Sequence, residues 1–204
     1  FPCLGGSHFD KGYLHIESQP HFHGEAWLFD LGGTTYETGL AGESDASQKW
    51  FVDHYASKGI KFDHVVVWEP TPIDDAVKFW SRYPEYVKWR TRYINVAASA
   101  DRKSSDNPLR AIKALTKTRD FVVFKLDIDN IELELSFVMQ ILLDHDISDR
   151  IDEMFWEHHT DGNPTLHVGW GGMHGIGGPN GTIEDSYRIF KELRQRGVRA
   201  HSWI

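Results

Sequence analysis

The chain has a single cysteine, Cys3, so neither an internal disulfide nor a cysteine-based zinc site can hold the fold. No apolar run reaches the roughly 20 residues that a bilayer crossing needs, and no secretory signal pattern opens the sequence. Cations are scarce: 22 Lys and Arg stand against 30 Asp and Glu, a net charge of −8, whereas proteins that bind a phosphate backbone cluster basic residues. Nucleic acid is therefore excluded as an expected partner. No internal repeat is present, which removes solenoids and propellers. What remains is ordinary globular material, 40% hydrophobic and 25% charged over 204 residues, enough for one domain with a sizeable core. Because the first residue is Phe1, any targeting segment is expected to have stood upstream; the lone Asn180-Gly181-Thr182 sequon is read as a chance match.

From Ala26 onward, apolar runs of strand length alternate with longer segments of helical period. That alternation predicts an α/β domain over 26–204, a mostly parallel sheet with helices on both faces, preceded by an N-terminal extension over 1–25. Strands are expected at Ala26–Leu31, His64–Trp68, near Arg92–Ala97, at Phe121–Leu126, Arg150–Trp156 and Val198–Trp203. Helices are expected at Ser44–Lys58, Asp74–Tyr83 and Ile131–Leu143, with a further one opened by a Thr182/Asp185 capping box and ended by Gly197. Trp27, Trp68, Trp156 and Trp203 read as core or strand-edge packing. The glycine-rich segment 160–181 reads as a long loop over the site, with Trp170 its best substrate contact and His167 and His174 beside it.

Open parallel sheets bind ligands at the carboxyl ends of their strands, near the point where strand order reverses. The rule selects Asp30, Gly32 and Gly33 after the first strand, Glu69 after the second, Asn95 to Ala98 after the third, Asp127 and Asp129 after the fourth, and Glu157, His158 and His159 after the fifth. Two glycines directly after a strand permit a sharp turn and close approach of a ligand to the backbone. A carboxylate at the next strand end can take both ribose hydroxyls of a nucleoside. Lys125 is expected to pair with neighbouring carboxylates rather than act as a catalytic amine.

Asp30-Leu31-Gly32-Gly33, Glu69, Asn95-Val96-Ala97 and the run Lys125-Leu126-Asp127-Ile128-Asp129-Asn130-Ile131-Glu132 together resemble the motif series of the FkbM-like methyltransferases, over roughly Ala26 to Trp203. The resemblance implies a Rossmann-like, S-adenosylmethionine-dependent enzyme that methylates a hydroxyl of a small molecule or carbohydrate. By it, Asp30 and the Gly32-Gly33 turn face the methionine part of the cofactor, Glu69 its ribose and Asn95 to Ala97 its adenine. Ser47 and Gln48, at the start of a helix, would help hold the cofactor carboxylate. Asp127 would lie near the transferred methyl, with Asp127, His158 and His159 as candidate bases and Asp129, Glu157 and Trp170 on the acceptor side. The family carries Glu-Gly where this chain has Asp129-Asn130. Its full sheet ends in an antiparallel pair where one strand is evident here.

Two other classes fit parts of the sequence. Asp127-Ile128-Asp129 also resembles the aspartate-x-aspartate motif with which glycosyltransferases hold Mn or Mg and a sugar nucleotide, and a magnesium-assisted methyltransferase could use the same acids. A methyltransferase-like scaffold without turnover, using its tryptophans for binding, is the non-enzymatic alternative. The His21-Phe22-His23-Gly24-Glu25 cluster has ligand types that zinc takes but lacks an accompanying helix motif, and no resident metal is assigned from the sequence.

Overall fold

The structure, a computed structural model, describes residues 24–38, 48–160 and 181–203. Several sequence expectations lie outside the described residues: most of the N-terminal extension with Cys3, His21 and His23, the helix start with Ser47, and the glycine-rich segment with His167, Trp170, His174 and Asn180.

Strands β1 (Ala26–Leu31), β2 (His64–Trp68), β3 (Thr91–Ile94), β4 (Phe121–Leu126), β5 (Glu153–Trp156) and β6 (Arg199–Ser202) form one six-stranded sheet in the order β3-β2-β1-β4-β5-β6. Every pairing is parallel. The chain builds outward from β1 to β3, then crosses back to lay β4 on the other side of β1. Order reverses between β1 and β4, so their carboxyl ends frame the crevice of a Rossmann-like α/β fold.

Seven helices are seen among the described residues: α1 (Gln48–Ser57), α2 (Ala76–Ser81), α3 (Glu85–Lys88), α4 (Pro108–Leu115), α5 (Ile131–Leu143), α6 (His145–Ser148) and α7 (Ile183–Gln195). They cover both faces of the sheet. Because successive strand residues point to opposite faces, Trp27, Phe29 and Leu31 of β1 join Val122, Phe124 and Leu126 of β4 under α4, α5 and α7. Ala26 and Leu28 join Phe121 and Val123 under α1 and α3. In α1, Gln48, Phe51, Val52 and Tyr55 are buried, the i, i+3, i+4, i+7 stripe of a helix lying on a sheet. The four tryptophans expected in the core are all buried. No helix among the described residues is long and apolar enough to cross a membrane.

Element ends differ from the sequence expectation for identifiable reasons. The strand expected from Arg150 begins at Glu153, because residues 145–148 make a helical turn capped by Asp144 and Arg150 bends back to bond the Asp146 carbonyl. The third strand stops at Ile94, and the helix expected over 74–83 is shortened to Ala76–Ser81 by the Asp75 cap on Lys78. Helix α4 was not anticipated from the sequence, although Asn107 at the cap with Pro108 next to it is a start signal. The expected capping box at Thr182/Asp185 and the stop at Gly197 are present, Gly197 having positive φ, as does Gly59 just past α1.

Phe124 belongs to the larger core cluster and is fully buried. Phe124→Ala should lower unfolding free energy by about 3–5 kcal/mol, read as a shift in urea midpoint at unchanged slope.

Candidate functional site

The parallel register sets Asp30 of β1 directly beside Lys125 of β4, so both side chains project from the same face of adjacent central strands. Lys125 Nζ lies 3.4 Å from Asp30 Oδ1 and 2.9 Å from Asp127 Oδ2. Lys125 and Asp30 are each 1% exposed. Burial disfavours the Lys125 ammonium, but the charges of Asp127 and Asp30 outweigh it and hold the lysine above its ordinary range. Burial likewise opposes charge on Asp127, and Lys125 wins there too, keeping that carboxyl below the usual range. On Asp30 burial prevails and its carboxyl is raised, tempered by Lys125. Neither Asp30 oxygen receives a well-directed hydrogen bond.

The turn after β1 is nested into the β4 tip. Gly32 has φ +89°, and a Cβ there would lie 1.6 Å from the Asp127 carbonyl oxygen. Its N–H donates to the Trp68 carbonyl at 3.0 Å, while Asp127 N–H donates to Leu31 O at 3.1 Å. A Cβ on Gly33 would sit 2.3 Å from Asp30 Oδ2, so the second glycine leaves room for the carboxylate beneath it. Gln48, at the start of α1, donates to Gly33 O at 3.4 Å and accepts from Tyr83 Oη at 3.1 Å. Tyr93 Oη donates to Thr34 O at 3.3 Å. Gln48 is thus a brace for the turn.

Glu69 is buried at the β2 tip, its Oε1 accepting from Thr71 N–H at 2.8 Å. It lies close enough to add to the raised pKa of Asp30. Asn95 donates through Nδ2 to the carbonyls of Glu69 and Thr71, both at 2.7 Å, and so holds the β2 and β3 tips together. Ala97 is exposed beyond the β3 tip.

A second cluster continues from Asp127 towards β5. His159 Nε2 lies 3.3 Å from Glu157 Oε2 and 3.8 Å from Asp129 Oδ1, and Glu157 shares a hydrogen bond with Asp127. Asp129 is held at φ 55°, a left-handed conformation that Asp tolerates, while Asn130 caps α5 through Leu133 N–H. Burial raises Glu157 to about 8. Burial opposes charge on His159, but the bond and charge of Glu157 outweigh it and raise its pKa. His158 goes elsewhere: it stacks on Trp156, ring centres 4.0 Å apart, and feels Asp185 at the start of α7. Just past the end of β5 the two neighbouring histidines thus part, His159 with the acids and His158 against the core. Of the His21, His23 and Glu25 cluster only Glu25 is described; it precedes β1 and meets His64 at 3.5 Å.

Glu134, on the buried side of α5, was not singled out from the sequence. Its Oε1 accepts from Ile128 N–H at 3.0 Å and its Oε2 from Trp156 Nε1–H at 3.1 Å, joining the β4 turn to the β5 tip. Burial raises it to about 7. The available signal was a carboxylate among the apolar residues of α5, whose other acid, Glu132, is exposed. Compared with known proteins, the chain matches no family model, no curated protein and no solved structure at a significant level.

Gly32→Ala combines a disfavoured φ, worth about 1–3 kcal/mol, with a backbone clash, whereas Gly197→Ala has a similar φ and open space around the added methyl. Chemical denaturation should show Gly32→Ala as the more destabilising of the two. Glu134 keeps its proton in the folded state to about pH 7, against an unfolded value of 4.5. The folded chain thus holds an extra proton in that window, and stability falls as pH rises from about 4.5 through 7. Glu134→Gln should remove up to about 3 kcal/mol of that slope, seen by comparing urea midpoints at pH 5 and pH 8.

Proposed function

We propose that the chain is an S-adenosylmethionine-dependent methyltransferase, FkbM-like in type, that methylates a hydroxyl of a small molecule or carbohydrate. The observation that carries the reading is the meeting of the β1 and β4 tips at the switch point, where the Gly32-Gly33 turn lies over buried Asp30 with Glu69 one strand away. Asp30 and the glycine turn would take the methionine part of the cofactor and Glu69 its ribose. Gln48 contributes by bracing the turn. Asn95 contributes by holding the strand tips, which leaves Ala97 and its neighbours to border the adenine. The resident parallel β6 replaces the antiparallel pair of the family, but at the sheet edge away from β1.

Methyl transfer from a sulfonium needs alignment, exclusion of water and a route for the acceptor's proton rather than covalent help. Rigid strand tips supply the alignment. The carboxylates of Asp30, Asp127 and Asp129 outnumber the buried ammonium of Lys125, a field suited to a cationic cofactor. The acceptor would approach over the β4 and β5 tips, past Asp129, Glu157 and His159. Against the glycosyltransferase reading stands the salt bridge from Lys125, which occupies the first aspartate of Asp127-Ile128-Asp129.

Thermal-shift titration with S-adenosylmethionine and its demethylated product should raise the midpoint of the wild type, since a ligand specific for the native state adds about 2.7 kcal/mol at a hundred times its Kd. Glu69→Gln should weaken that response. A response only to Mn with a sugar nucleotide would transfer the chain to the glycosyltransferases, and silence towards both would leave a binding scaffold without this cofactor.

A further inference from the structure

We propose that Asp129, Glu157 and His159 form a binding site for a divalent transition-metal cation at the adjoining tips of β4 and β5. Their candidate ligand atoms all lie within 4.8 Å of one another. His159 Nε2 is 3.3 Å from one carboxylate and 3.8 Å from the other. Donors about 2.1 Å from a cation sit about 3.0 Å apart at right angles in an octahedron and about 3.4 Å apart in a tetrahedron. The two histidine–carboxylate spacings are already near these values, and side-chain rotation of half-exposed Asp129 can draw in the second carboxylate.

The imidazole separates this trio from a patch of surface acids. His159 is 1% exposed and is delivered by the same strand end as Glu157, two residues apart so that both point to one side. Asp129 arrives from the neighbouring strand through a turn whose backbone is tied down by Glu134 at Ile128. Two elements thus present nitrogen and oxygen donors to one point from a rigid base, with one side open at half-exposed Asp129 for water or a substrate oxygen. Asp127, bonded to Glu157 and to Lys125, stands behind as an orienting group rather than a ligand. One imidazole with two carboxylates favours ions of the Mn, Fe or Zn kind over Ca, which takes oxygen alone.

Such an ion would bind the acceptor's oxygen next to the proposed cofactor crevice. The site goes beyond the methyltransferase reading, and its test uses neither cofactor nor acceptor. Mn binding by the wild type, followed through loss of the free-ion electron paramagnetic resonance signal and by calorimetry, should saturate at one ion per chain. Asp129→Asn retains a residue suited to φ 55° at an exposed position, so it preserves the fold, and it should weaken binding by about tenfold or more. Glu157→Gln should do the same, while Asp149→Asn, outside the site, should leave affinity unchanged. No saturable binding at millimolar Mn, or binding that neither site variant weakens, overturns the proposal and leaves the trio as an ion-pair network. A chain that binds Mn but ignores S-adenosylmethionine would retain this site and lose the methyltransferase reading; the opposite result would do the reverse.

Discussion

The structure turns on an ammonium buried in the middle of the sheet. An isolated charge there would cost several kcal/mol, and Lys125 is tolerated only because Asp30 and Asp127 flank it. That requirement ties β1 to β4 in one register: a slip by one residue would turn Lys125 towards the opposite core and leave two acids without their cation. The register in turn brings the Gly32 turn against the Asp127 carbonyl. Electrostatic pairing and backbone nesting therefore specify the same arrangement, and the crevice is the outcome.

From this centre the constraint spreads in two directions. Towards β2 and β3, Gln48, Asn95 and Tyr93 tie loops to loops through backbone carbonyls, so this side of the crevice is built mainly of neutral hydrogen bonds. Towards β5, carboxylates and an imidazole meet with little neutral buffering, and Glu134 ties their supporting turn to Trp156. The two sides are suited to different work, one to cradling an extended ligand and the other to handling a cation or a proton. Asp127 belongs to both, bonded to Lys125 on one side and Glu157 on the other.

Much of the fold was legible because buried parallel strands advertise themselves as β-branched and aromatic runs. His64–Trp68 and Phe121–Leu126 were bounded correctly from sequence. Elements whose ends depend on capping or on distant partners were not: Arg150 looked like strand until its bonds to Asp146 and the Thr116 carbonyl drew it into a turn. At the site, the strand-tip rule selected Asp30, Glu69, Asp127 and Glu157, which lie at or just beyond the ends of β1, β2, β4 and β5. It could not divide labour between Asn95 as a brace and Glu69 as a buried acid, or between His158 against Trp156 and His159 among the carboxylates.

By itself, then, the order of residues determined the class of fold, the strand cores, the caps at Thr182 and Gly197, and which tips carry acids, because these follow from local periodicity and from side-chain chemistry within a few residues. Only the assembled sheet decided that Asp30 faces Lys125, that Gly32 touches Asp127, and that Asp129 joins Glu157 and His159. Those contacts join residues brought together by crossovers between strands, and their ionisation depends on how much water the packed helices exclude. Neither quantity is written in any short stretch of chain.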